Sequence, residues 1–303
     1  MRVFVTGATG FVGSAVVREL IDAGHRVIGL ARSDAGAKSL SAAGAEVHCG
    51  SLEDLGSLRS GAAGADGVIH AAFVHNFNNY APAAEADRRA IETLGAALIG
   101  SDRPSIVTSG TLLAQPKGRL ATEEDAHNPS FPRKSEEAAL ALRARGVHAS
   151  VLRLPPSVHG NGDHGFVPRL INITREKGVS AFIDDGLNRW AAVHRLDAAH
   201  LYRLVLEKGS GVATYHAVAD EGIPTREIAQ VIGRCLNVPI VSKSREKAGD
   251  HFGWIAHFFG MDGAASSAKT QKELGWRPQQ PGLVADLDRP SYFAEVSLSA
   301  SSR

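Results

Sequence analysis

The chain has 303 residues, 44% of them hydrophobic and 21% charged, enough to bury a full core in one large domain or two coupled ones. A formal net charge of +1, from 33 Lys and Arg against 32 Asp and Glu, excludes the electrostatic footprint of a nucleic-acid or polybasic membrane binder and leaves a small molecule as the expected ligand. Cys49 and Cys235 lie far apart, form no CxxC pair and sit among apolar neighbours, so they read as buried thiols of a protein in the reducing cytoplasm.

The chain enters a strand pattern at once with RVFVT. No charged leader precedes it, and no apolar run approaches the roughly 18 residues of a membrane span, so secretion and membrane insertion are not expected. SAVVRELIDAG then reads as a helix, HRVIGLA, AEVHCG and GVIHAAF as strands, and residues 80–100 as a helix. SIVTSG is a strand, SEEAALALRARG a helix and VHASVLRLP a strand. This alternation predicts an α/β fold, a Rossmann-like doubly wound parallel sheet with helices on both faces. Gly24, Gly100 and Gly146 each follow a helical pattern, where left-handed helix ends are expected. Beyond about residue 158 the rhythm gives way to HGNGDHG and DDGLNRW, then to TREIAQVIGRCL and the aromatic HFGWIAHFF. This part reads as a smaller, loop-rich substrate-binding region, and the terminal SLSASSR as a frayed end.

The segment VTGATGFVGSAVVREL places Gly7, Gly10 and Gly13 between a strand and a helix. There glycines permit a tight turn, close approach of backbone to a pyrophosphate, and close packing of helix on strand. Strand, loop, helix and the next strand all fall within about thirty residues, which points to a nucleotide site.

TGATGFVG resembles the TGxxGxxG fingerprint of the extended and atypical short-chain dehydrogenases/reductases. The likeness extends through VIHAAF (68–73), SIVTSGT (105–111), RLPPSVHG (153–160), WAAVHRLDAAHLYRLVLE (190–207) and SSAKTQKELGW (266–276). It implies a dinucleotide-binding domain over 1–158, to which 190–220 return, and a region over 159–303 that mainly binds substrate. By this resemblance Thr9, Phe11 and Val12 join the three glycines at the cofactor. Ser51 and Leu52 lie at the adenine, with Ser51 standing where relatives carry Asp. Ala71, Ala72, Phe73 and Thr108 lie where the chain passes the cofactor, and Pro155 to Val158 near the nicotinamide. At the end of the second strand, relatives that prefer NAD place an acidic residue. This chain has Ala31, Arg32 and Ser33 there, with Asp34 next. An arginine suits a 2′-phosphate, so NADP(H) is favoured over NAD(H). The resemblance also implies pairing of two chains through the helices flanking the fourth and fifth strands.

Active relatives carry a tyrosine and, four residues on, a lysine that lowers its pKa. The phenol exchanges a proton with the substrate while hydride moves at the nicotinamide. Here the YxxSK pattern reads PRKSE, with Pro132 or Phe131 in the tyrosine's neighbourhood and Ser135–Glu136 in that of Ser–Lys. None of Tyr80, Tyr202, Tyr215 and Tyr292 has a lysine four residues later. Gly110 stands near the usual hydroxyl, between Ser109 and Thr111. The expected replacements are Thr111 or Ser109 for binding the substrate oxygen, Arg133 or Lys134 for stabilising charge, and His75 as proton source. His159, Asp163 and His164 of HGNGDHG are ligand types, but glycine spacing marks a turn, and no metal is expected. His164, Phe166, Trp190, His194 and Arg195 are read as lining the substrate pocket.

The leading reading is an atypical NADPH-dependent oxidoreductase that reduces a carbonyl or related small organic substrate. A nucleotide-sugar epimerase or dehydratase is one alternative. A non-catalytic NADP(H)-binding redox sensor is the other, and it explains the missing tyrosine without new chemistry.

Overall fold

The computed structural model describes residues 1–74, 80–114, 116, 118–209 and 214–293. The first half alternates β1 (Arg2–Thr6), α1 (Phe11–Asp22), β2 (Arg26–Ala31), α2 (Asp34–Ala42), β3 (Glu46–Cys49), α3 (Leu55–Ala63), β4 (Gly67–His70), α4 (Tyr80–Ala96), β5 (Ser105–Gly110), α5 (Ser135–Ala144) and β6 (Ala149–Leu154). There follow β7 (Ser157–His159), α6 (Phe166–Lys177), β8 (Ser180–Ile183), β9 (Arg189–His194), α7 (Arg195–Lys208), β10 (Thr214–His216), β11 (Asp220–Pro224), α8 (Thr225–Leu236) and β12 (Ile240–Lys243). The last elements are α9 (Arg245–Phe252), α10 (Ala256–Phe259), α11 (Ala268–Leu274), α12 (Leu283–Leu287) and α13 (Pro290–Phe293).

Seven parallel strands form the main sheet in the order β10-β6-β5-β4-β1-β2-β3. Its central strands read as continuous apolar runs because both faces are covered, as Val3, Phe4 and Val5 on β1 and Val68 and Ile69 on β4 illustrate. The chain winds outward from β1 to β3, then crosses back to β4 on the other side of β1. That reversal opens a crevice at the carboxyl ends of β1 and β4, where ligands bind in such sheets. The expected doubly wound architecture is therefore present. Gly24, Gly100 and Gly146 adopt positive φ at the predicted helix ends.

Residues 190–220 divide between layers. Helix α7 lies against α1, and β10 extends the main sheet beside β6, whereas β9 joins β7 and β11 in a separate three-stranded sheet. A second core, centred on Val167, Ile171, Trp190, Ile228, Ile232 and Phe259, underlies this smaller region.

Both cysteines are exposed, contrary to the expectation of buried thiols. Cys49 ends β3, an edge strand with no neighbour to cover it. On α8 the apolar stripe Ile228, Val231 and Ile232 faces the core, which turns Cys235 outward toward Asp288. Among the described residues, no helix is long and apolar enough to cross a membrane.

Candidate active site

The glycine loop is pressed against the end of β4. Gly7 has φ +69°, and a Cβ there would lie 2.7 Å from the Ala71 carbonyl carbon and the Ala72 nitrogen. A Cβ on Gly13 would stand 2.0 Å from the Gly7 oxygen, so α1 can approach the loop only without a side chain at this position. Gly10 is the N-cap of α1 and supplies no side-chain cap. The N–H groups of the first turn, at Phe11, Val12 and Gly13, therefore have no acceptor within the helix, an arrangement that suits a diphosphate. Thr9 is exposed on the same loop. The residues present thus fit a dinucleotide.

At the end of β2, Ala31 is buried in the core and Arg32 is exposed, with no ion pair among the described residues. Ser33 caps α2, its hydroxyl accepting from the Gly36 N–H at 3.2 Å. Ser51 accepts from the N–H groups of Glu53 and Asp54, and Leu52 packs on the core under α3. Pro155 is buried between β6 and β7, and Val158 is half-buried on β7.

The family's tyrosine and lysine positions lie where the fold begins α5. Pro132 is exposed. Glu136 is turned inward, and its carboxylate is held by Arg153 of β6 at 2.7 Å, with both side chains only 2% exposed. Ser109 donates to the same carboxylate at 2.7 Å. Burial pulls the Glu136 pKa upward, but the Arg153 guanidinium and the Ser109 hydroxyl outweigh it and hold the carboxyl below its ordinary range. The hydroxyl of Ser109 is therefore engaged, which corrects its expected role at a substrate oxygen. Lys134 is corrected too: its ammonium donates to the Pro129 carbonyl and to Glu137, at the outer start of α5.

Arg133 points the other way. Its Nη2 donates to the Thr108 carbonyl at 2.7 Å, its Nε donates to Ser135 Oγ at 2.7 Å, and its Cζ lies 4.1 Å from the centre of the Phe73 ring. Since Phe73 follows the Ala71–Ala72 segment that presses on Gly7, the guanidinium stands at the carboxyl ends of β4 and β5, on the crevice. Thr108 contributes its carbonyl here, while its hydroxyl pairs with the buried Tyr202 phenol at 2.6 Å.

Thr111, just beyond β5, lines a cleft of about 470 Å³ with Leu112, Ala121, Met261, Asp262 and Ala264. Its hydroxyl is buried without a hydrogen-bond partner among the described residues, an arrangement that costs free energy unless a ligand completes it. Asp262 is neutralised by Arg189, whose Nη2 and Nε reach it at 2.7 and 3.1 Å.

The expected substrate residues scatter. Trp190 is fully buried and donates to the Phe258 carbonyl, so it is a core residue rather than a pocket wall, as its place on a strand covered by the second core dictates. Phe166 packs on Trp190 and Phe258. His194 is buried behind Gly160, its ring 5.4 Å from that of His159. His164 meets the edge of Phe11 at 5.6 Å, and Arg195 lies over the same ring. Both thus sit at the glycine loop, because α7 packs along α1. His159 pairs with Asp286, and Asp163 accepts from Tyr292 and from the Gly165 N–H. The side chains of HGNGDHG therefore diverge, and among the described residues no three His, Cys, Asp or Glu are grouped to hold a metal. His75 lies outside the described residues.

Two features escaped the sequence reading. Thr6, His70, Asp87 and Ser135 form a buried hydrogen-bonded row that ends beside Arg133, with Asp87 3.1 Å from His70 Nε2 and 3.9 Å from Arg133. Tyr80, at the start of α4, brings its ring 5.6 Å from Phe73, on which Arg133 also stacks. Burial raises its phenol pKa and the Arg133 charge opposes that rise. No spacing rule links residue 80 to residue 133, and only the docking of α4 on α5 unites them.

The model of the NAD dependent epimerase/dehydratase family matches residues 3–218. An uncharacterized protein of Schizosaccharomyces pombe is 50% identical over 295 residues, covering 97% of this chain and 100% of that one. A 4-hydroxy-2-methyl-3-oxo-4-farnesyl-3,4-dihydroquinoline-1-oxide ketoreductase of Stigmatella aurantiaca is 28% identical over 229 residues, 71% of this chain and 67% of that one. In fold the chain is similar to the dTDP-glucose 4,6-dehydratase DesIV from Streptomyces venezuelae, solved with NAD and TYD bound. The TM-score is 0.77 at 22% identity, over 98% of each chain. The family match runs through the glycine loop, the main sheet and α7, and the chain belongs to the NAD dependent epimerase/dehydratase family.

Proposed function

We propose that the protein is an NADPH-dependent reductase of a small, uncharged carbonyl compound, working without the family's tyrosine and lysine. The observation that carries this reading is the buried, unpartnered Thr111 hydroxyl on an apolar cleft at the end of β5. A neutral carbonyl oxygen satisfies that hydroxyl, and the described lining offers no unpaired charge to a nucleotide-sugar diphosphate. The ketoreductase similarity supports the same chemistry.

The glycine loop of Gly7, Gly10 and Gly13 and the first turn of α1 would hold a nicotinamide dinucleotide, which would supply hydride for the carbonyl carbon, a proton adding to the oxygen to give an alcohol and the oxidised nucleotide. Thr111 orients the oxygen by donating to it. Arg133 stabilises the negative charge that develops there and gives up no proton. Tyr80, and His75 on the segment preceding it, are the titratable groups from which the proton is drawn.

The panel to test is aldehydes, ketones, quinones and activated alkenes, followed through loss of NADPH absorbance. Turnover with any carbonyl member is the expected result. Tight NADPH binding without turnover would favour the non-catalytic sensor, and NAD released from the denatured protein would favour an epimerase or dehydratase.

Arg32, at the end of β2 and without an ion pair among the described residues, is assigned to the 2′-phosphate. Arg32→Ala should weaken NADPH binding by about tenfold and leave NADH unchanged, given the strength of a charge-assisted contact. Equal affinity of the wild type for both nucleotides would refute the preference.

A further inference from the structure

We infer that Arg195 is a cofactor-anchoring residue, a cationic clamp on the diphosphate at the glycine loop. The inference rests on the nucleotide reading above and adds a residue outside the fingerprint to it.

Arg195 opens α7, yet its guanidinium is spent on α1. Nη2 lies 3.0 Å from the hydroxyl of Ser14, in the second turn of α1, and Nη1 donates to the Asn161 carbonyl at 3.0 Å. Cζ stands 4.6 Å from the centre of the Phe11 ring, and Phe11 is the first residue of the uncapped helix. The Nε–H is buried with no partner among the described residues.

The loop is shaped around this side chain. Gly160 has φ +130°, and a Cβ there would meet His194 at 2.8 Å and Arg195 at 3.1 Å. A side chain there would crowd the His194 ring first and the Arg195 stem second. Gly160 of HGNGDHG, read from sequence as a turn, thus leaves room for both.

Among the described residues no carboxylate lies within ion-pair distance of Arg195, and burial lowers its pKa. Half-burying a guanidinium without an anion is unfavourable, and proteins keep such charges where a ligand completes them. Beside it, the N–H groups of α1's first turn also await an anion. Both features are satisfied by one group, a diphosphate lying on the helix start, with the guanidinium fork on its outer oxygens.

The test is the dissociation constant of NADPH, by fluorescence, for wild type, Arg195→Met and Arg195→Lys at low and high salt. Arg195→Met should bind about 10- to 100-fold more weakly, as loss of a charge-assisted contact predicts. Its affinity should also respond less to salt, because one screened attraction is gone. Arg195→Lys should keep most of the salt response and part of the affinity. The melting temperature of the ligand-free variants separates anchoring from folding. If Arg195→Met does not fold, Arg195→Gln, which keeps a donor for Asn161, carries the comparison. Unchanged affinity, or weaker binding with an undiminished salt response, would overturn the clamp alone. A wild type that binds neither NADPH nor NADH would overturn the nucleotide reading and the clamp together.

Discussion

Arg153→Met should cost the folded protein about 3–5 kcal/mol, the scale for removing one partner of a buried ion pair. Glu136 would be left in the core with only the Ser109 hydroxyl, while the carbonyls of Asp125 and Thr122 would lose the donors that Arg153 supplies. The pH dependence gives the signature. In the wild type the Glu136 pKa is depressed on folding, so its contribution is present above the ordinary carboxyl value and lost as pH falls through the folded pKa. In the variant, desolvation dominates and raises that pKa, so acidification relieves the penalty. The gap between the two proteins should be widest near neutrality and narrow toward acid, measured by urea unfolding across pH. A constant gap would mean that Glu136 is not the group left unpaired. Glu136→Lys, which restores the family's residue, sets two cations together in the core and should cost at least as much.

The second large effect is on chemistry. Arg133→Ala should lower kcat/KM for a carbonyl substrate by about 10²–10³, the usual loss when one donor to a developing oxyanion is removed. The loss should fall mainly on kcat, because the charge it stabilises exists in the transition state rather than in the neutral substrate. Arg133→Lys should recover only part, since it cannot hold Ser135 and the Thr108 carbonyl at once. Tyr80→Phe and His75→Gln identify the proton source by which of them loses turnover. Wild-type rates in Arg133→Ala would remove it from the site.

Why Arg133 and not its neighbour is decided by tertiary structure. PRKSE shows in the sequence that the dyad is gone and that two cations stand nearby. It does not show that Lys134 turns out to Pro129 and Glu137 while Arg133 reaches back to β5. The glycine loop and the succession of strands and helices were legible because they depend on local turn chemistry and on continuous apolar runs. The partner of Glu136 was not, since Arg153 comes from the following strand and no helical or strand period connects them. Trp190 and Arg195 were misplaced for a related reason: a strand and a helix that adjoin in sequence part company at His194, one entering the second core and the other lying along α1. Cys49 and Cys235 sat among apolar letters, but at an edge strand and on the outer face of a helix such neighbours do not imply burial.

The most direct test of the central claim is isotope transfer within a single turnover. NADPH carrying deuterium at C4 of the nicotinamide is mixed with wild-type protein and the most active carbonyl compound of the panel, and the product is read by mass spectrometry. Deuterium on the carbinol carbon, with its yield sharply reduced by Thr111→Val and Arg133→Ala, is the predicted result. Label retained in the nucleotide while the protein holds it tightly would contradict a reductase.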